Sequence, residues 1–188
     1  MQQLIQIVYR CNPKAGAVGQ ITWAPEEAPS KVTESWQEWL RLCFQPVLLP
    51  HLISGFQTAQ AQALRELCRT AAKLDAQLSP AERVRSLNAG AVLLFQKPPR
   101  GDRVQERFAA EVGSGMVPGH FATLFMLRAA GFSVPLRTAL LAYLIQELFS
   151  GGCPAAFVEG SIELAVPAVN AALGADQIHA KGGAPRYG

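Results

Sequence analysis

Chemistry on a protein surface needs converging polar side chains: a nucleophile beside a base, a pair of carboxylates, or a set of metal ligands. In this 188-residue sequence the histidines are His51, His120 and His179, and the cysteines are Cys11, Cys43, Cys68 and Cys153. No two cysteines stand at Cys-x-x-Cys spacing and the histidines are equally scattered, so no metal or cofactor is expected. Gly16-Ala17-Val18-Gly19 has the glycines of a phosphate-cradling loop but lacks the Gly-Lys-Ser/Thr ending such a loop requires. Most acids, among them Glu26, Glu27, Glu38, Glu82, Glu106 and Glu111, fall at helix caps and solvent faces. Glu147 and Glu159 differ, because each lies between apolar residues on a helix that reads as buried. A carboxylate there needs a partner or a shifted pKa. His120 and Tyr143 are likewise polar groups in an apolar centre. Their plain reading is hydrogen-bonded core side chains; the alternative is a small-molecule pocket, as in a helical enzyme, near His120, Tyr143 and Glu147. No nucleophile and base stand at a recognisable spacing, so a protein that is not an enzyme is expected.

The elements that must position these residues are helical. The centre is Val117 to Phe149, two apolar helices joined by a Gly-Phe-Ser-Val-Pro turn. The first is expected to end at a left-handed Gly131, with Ser133 capping the second. Leu136, Leu140, Leu141, Tyr143, Leu144, Leu148 and Phe149 surround the second helix with apolar side chains, which predicts burial on several sides.

Upstream, Leu4 to Val8 is apolar but too short to separate helix from strand. Ser35 with Glu38 matches a capping box, and Trp36, Trp39, Leu40, Cys43, Phe44 and Val47 then share one stripe that predicts core. Pro46 and Pro50 are expected to interrupt, with a new helix starting near His51 and running to Leu74; His51 itself is expected at the surface or as a cap. Ser79-Pro80-Ala81-Glu82 combines an N-cap, a proline at the first helical position and a closing glutamate. Asp102 with Gln105 reads as the cap of a short helix. Pro154 restarts the chain after Gly151-Gly152, and Pro167 is expected to kink or divide the last helix. These signals predict an all-α fold of seven or eight helices in one compact domain, residues 1–176, followed by a flexible tail, 177–188.

A net charge of +3, with basic residues interleaved among acidic ones, does not make the clustered basic face of a nucleic-acid binder. The strongest apolar run, Thr138 to Ile145 and its flanks, is about ten residues, against the roughly 20 a bilayer span requires. Met1-Gln2-Gln3-Leu4 does not begin a secretory signal, and the unpaired thiols suit a reducing compartment, so a cytoplasmic protein is expected.

The run PGHFATLFMLRAAGFSVPLRTALLAYL resembles the urease accessory protein UreF family, which carries a Gly-His, an apolar helix, a small-residue turn with proline and an Ala-Leu-Leu-Ala-Tyr-Leu-like helix. SWQEWLRLCFQPVLLPHL and TAAKLDAQLSPAERVRSLNAGAVLL are similar to two further family blocks in the same order, and LIQIV is compatible with its opening; together they span about two-thirds of the chain. The chain departs from the family in two places. NPKAGAVGQITWAPEE stands where the family has a Leu-Pro-x-Gly-Gly/Ala-Phe segment and a Ser-x-Gly-Leu-Glu motif, and PAAFVEGSIELAVP replaces its Arg-Leu-x-Pro-Leu-Gly-Gln block. The resemblance implies a non-catalytic, all-α, dimeric scaffold that binds UreD/UreH- and UreG-type partners and serves nickel delivery to apo-urease. It implies fold or dimer roles for Gly119, His120 and Tyr143, and partner contacts for His179, Lys181, Arg186 and Tyr187 in the tail.

Overall fold

A computed structural model describes residues 1–25, 31–97 and 103–182, with side chains described through residue 174. The elements are α1 (Gln2–Cys11), a 3-10 turn (Ala15–Ala17), α2 (Val32–Trp39), a π-helical segment (Leu40–Leu48) and α3 (Leu49–Gln60), then α4 (Leu64–Gln77), α5 (Pro80–Leu94), α6 (Arg103–Gly113), α7 (Phe121–Gly131), α8 (Leu136–Ser150) and α9 (Ala155–Gly182). Because α2, the π segment and α3 run on without a break, the described residues form eight helical rods and no strand, an all-α bundle.

The ambiguous N-terminal stretch is a helix. Leu4, Ile7, Val8 and Cys11 recur at helical spacing, and α1 buries that stripe along α8. The central pair is core throughout: every residue from Phe121 to Ala129 and from Ala139 to Leu148 is buried. Helix α3 packs along one side of α7 and α5 crosses the other, while α9 lies on α8. The crossing of α5 over the start of α7 depends on glycine, since a Cβ on Gly90 would land on the carbonyl oxygen of Gly119. Trp36 and Trp39 are core as expected, stacked at 4.7 Å, with Trp23 edge-on to Trp36 at 5.0 Å.

Local start signals are fulfilled unevenly. Ser79 accepts from the Glu82 amide and Glu82 from the Ser79 amide, completing the expected box. Ser35 is not a cap: α2 begins a turn earlier, at Val32, because Val32 is itself part of the core, and the Ser35 hydroxyl instead lies 3.4 Å from Trp23 Nε1. Asp102, Glu26 and Glu27 lie outside the described residues.

Pro46 and Pro50 do not interrupt the helix as expected. The chain takes the wider π turn from Leu40 to Leu48, which carries Pro46 inside it and places Pro50 in the first turn of α3. The stretch from His51 to Leu74 is two helices, not one, broken at Gln62 with φ 55°. There the Ala63 amide donates to Thr58 and the Gln62 amide to Ala59, a Schellman ending with glutamine in the left-handed place. The same pattern ends α7, but at Ser133 (φ 56°) rather than Gly131, so Ser133 does not cap α8. Its next residue, Val134, is buried, the apolar contact that accompanies this motif. Gly152 (φ 74°) ends α8 as the sequence predicts.

Pro167 lies within one helix, α9, and does not divide it. Residues Ala155–Gly174 of that helix, 20 residues with an 18-residue window of mean hydropathy 1.3, are long and apolar enough by length and composition to cross a membrane, and 28% of that window is buried. The longest apolar stretch is thus here and not at Thr138 to Ile145. Glu159 and Glu163 both stand on its exposed side.

Candidate functional site

Glu147 is the residue whose discomfort the sequence announces, and the fold resolves it with neutral donors. One carboxylate oxygen accepts from Thr22 Oγ1 and from Tyr143 OH, each at 2.6 Å; the other accepts from the backbone amides of Thr22 at 3.1 Å and Trp23 at 3.0 Å. Tyr143 sits one turn before Glu147 on α8, so both face the same way, and the extended stretch Ile21 to Trp23 presents unpaired amides to them. Burial pushes the Glu147 pKa up, and the four hydrogen bonds pull it back towards the carboxylate. Burial and the adjoining Glu147 charge push the Tyr143 phenol well up, so it stays protonated and donates to Glu147. The carbonyls of Ile21 and Thr22 are taken from outside by Arg85 at 3.2 and 3.1 Å. Every lone pair of the carboxylate is engaged, leaving none for a substrate. Glu159, by contrast, is exposed and does not share this situation.

Arg128 has no counterpart among the residues singled out from the sequence, where it reads as a flank of an apolar run. It is 2% exposed, and its guanidinium donates to the carbonyls of Cys11, Gln96 and Lys97 while lying over the Phe132 ring. The Cys11 carbonyl is the last of α1, and Gln96 and Lys97 lie two and three residues past the end of α5, so the guanidinium sits near the C-terminal, negative ends of two helices. Burial draws the Arg128 pKa down without a carboxylate beside it. Asn12 and Gln146, bonded at 3.0 Å, join the same end of α1 to α8.

A third polar centre joins α3, α4 and α7. His51 is not at the surface: it is 6% exposed and its Nε2 meets Thr123 Oγ1 at 2.9 Å. Burial, with a smaller contribution from nearby His120, brings its pKa down to about 4, so the ring is neutral near pH 7. His120, at the N-cap of α7, is fully buried and places Nε2 at 3.0 Å from Asp75 Oδ1; Asp75 also faces Arg83 at 3.4 Å. Burial lowers the His120 pKa, and the Asp75 carboxylate works against that. Its Nδ1 finds no hydrogen-bond partner among the described residues. A histidine against a hydroxyl and a histidine against a carboxylate are the pieces of a nucleophile and base array. Thr123, however, is fully buried and lines neither cleft described below, so the pair ties α3 to α7.

The first cleft, about 230 Å³, opens beside this centre between the π segment, α3 and α4, lined by residues that include His51, Ser54, Thr70 and Lys73. A second, about 320 Å³, adjoins it at Pro50 and Ser54. The expected grouping of His120, Tyr143 and Glu147 therefore splits. Tyr143 and Glu147 are hydrogen-bonded to each other, whereas His120 pairs with Asp75, and none of the three lines either cleft. Gly119 lies at the α5 crossing, where a Cβ on it would come within 2.6 Å of Val112 Cγ1. His179 and Lys181 fall on the last turns of α9, beyond the described side chains, and Arg186 and Tyr187 lie outside the described residues. No group of three or more His, Cys, Asp and Glu side chains suited to a metal occurs among the described residues. No family model, curated protein or solved structure matches this chain.

Proposed function

We propose that this chain is a non-catalytic scaffold of the UreF kind, acting in the cytoplasm as a dimer that assembles UreD/UreH- and UreG-type partners for nickel delivery to apo-urease. The support is the all-α architecture together with the place of the family-like residues in it. The block from Gly119 to Leu144 forms α7 and the first half of α8, buried from Phe121 to Ala129 and from Ala139 onward, at the centre of the bundle. Apart from the His120 Nδ1, the side-chain polar groups of Tyr143, Glu147 and Gln146 at that centre are spent on hydrogen bonds within the chain, which suits a framework better than an active site.

The observation that carries the reading is α9. It is apolar over 20 residues, yet only 28% of its apolar window is buried, with Phe157 and Leu164 exposed at 43% and 41%. Apolar surface of this extent is the ordinary mark of a protein contact. It stands where the chain departs from the family, so the partner surface is altered there and not lost.

The test is retention of purified UreD/UreH-type and UreG-type proteins by the tagged full chain, with a full-length family member as the positive control. Retention of the UreD-type protein is expected, weakened at least tenfold by Phe157→Asp with Leu164→Asp. If the control retains both partners and this chain retains neither, the proposal is wrong.

A further inference from the structure

The two clefts at the π segment bring polar side chains to open space beside an apolar wall. Their shape has a local cause. Pro46 and Pro50 stand four residues apart on one face, and neither can donate a backbone hydrogen bond, so the helix widens into π geometry and a rigid apolar wall replaces a regular turn. Such segments recur at functional sites. Across from that wall α4 presents Thr70, Lys73 and Gln77, and α3 contributes Ser54 with the neutral His51 ring behind it.

Charge decides the ligand class. Among the described residues, Lys73 is the only formally charged one lining either cleft, and no described carboxylate lines them. The acids of α4 are engaged elsewhere: Glu66 pairs with Arg69 at 3.2 Å, and Asp75 with Arg83 and His120. No described residue forms an ion pair with Lys73. Thr70 donates to the Glu66 carbonyl at 2.9 Å, while the Ser54 hydroxyl has only a long 3.5 Å approach to Thr70, which leaves it able to turn towards a ligand. The adjoining cleft is lined by aliphatic Leu49, Ile53, Pro50 and Ala172 together with the uncharged Gln45, Ser54 and Gln57, and no described charge faces it. A cation and a hydroxyl at one end, with an aliphatic wall at the other, match a molecule of the opposite polarity pattern.

We propose that these clefts form one binding site for a small carboxylate with an apolar body, the carboxylate on Lys73 and Ser54 and the body over Pro50 against Leu49 and Ile53. This site does not depend on the partner assembly proposed above. It is also separate from the His120, Tyr143 and Glu147 grouping.

Sodium hexanoate and sodium benzoate are suitable probes, with hexanamide and benzamide as uncharged counterparts, titrated into the full chain and followed by amide chemical shifts. The expected result is saturable binding of the carboxylates at millimolar concentration, shifts centred on residues 46–54 and 70–77, and binding of the amides at least tenfold weaker. Lys73 is exposed, so Lys73→Gln leaves the fold intact by circular dichroism, and it weakens hexanoate about tenfold, the scale of one charge-assisted hydrogen bond. Equal binding of acid and amide overturns the proposal. So does unchanged affinity in Lys73→Gln, a shift pattern centred elsewhere, or no saturable binding by either acid.

Discussion

Glu147 and Arg128 carry opposite charges into the same interior, and among the described residues neither meets a counterion. The carboxylate takes four donors from two amides and two hydroxyls; the guanidinium gives its protons to three carbonyls. The difference follows the backbone each one meets. Arg128 faces helix ends, which carry surplus acceptors, and Glu147 faces an extended loop, which carries surplus donors. Both hold the N-terminal segment, Arg128 at Cys11 and Glu147 at Thr22 and Trp23. A buried charge here serves to satisfy backbone groups that secondary structure leaves over. His51 shows the other course open to a buried titratable group, which is to give up its charge.

The largest expected effect is at Glu147. Glu147→Ala strands two amides and two hydroxyls and opens a cavity, lowering unfolding stability by about 4 kcal/mol in urea titration. A loss below about 1 kcal/mol would mean that the loop at 21–23 does not need the carboxylate.

Arg128→Met keeps roughly the volume but leaves the buried Cys11 carbonyl and two partly buried carbonyls, of Gln96 and Lys97, without this donor, for a loss of about 2 kcal/mol. Because both residues hold one segment, the double variant with Glu147→Ala should lose less than the sum of the two single losses. Strict additivity would show that the ends of the segment dock independently.

The remaining effect is on pH dependence. The folded His51 pKa, about 4, lies below the unfolded value near 6.5, so between these pH values the unfolded chain binds the extra proton. Stability contributed by neutral His51 is present above pH 6.5 and lost as pH falls towards 4, by up to about 3 kcal/mol over the whole window. His120, also lowered, acts in the same direction. Glu147, raised, acts in the opposite one, because the folded chain then holds its proton more tightly and gains stability as pH falls through the folded value. Thermal melts between pH 7 and 4.5 should therefore flatten in His51→Gln and steepen in Glu147→Gln. Identical slopes in the two variants would remove the distinction between charge kept and charge surrendered.

Much of the fold was legible in short-range signals. The Ser79 box, the apolar circumference of α8, the tryptophan stripe and the stop at Gly151-Gly152 each involve residues within a turn or two, and each was realised. The same reasoning missed wherever a local preference met a tertiary demand. Ser133 took the left-handed place expected of Gly131 because Val134 had to reach the core, and Val32 drew the start of α2 ahead of Ser35.

For the candidate site, the sequence by itself determined that Glu147 needed a partner, because a carboxylate among apolar residues on a helix cannot stay unpaired in a core. Only the tertiary structure decided who the partners are. The Thr22 hydroxyl lies 125 residues from Glu147 along the chain, and the Cys11 carbonyl lies 117 from Arg128. It also decided that His51 is interior and that the two prolines open a cleft instead of ending a helix. Periodicity and capping act over a few residues, whereas hydrogen-bond satisfaction of a buried charge depends on which distant backbone ends the packing brings against it.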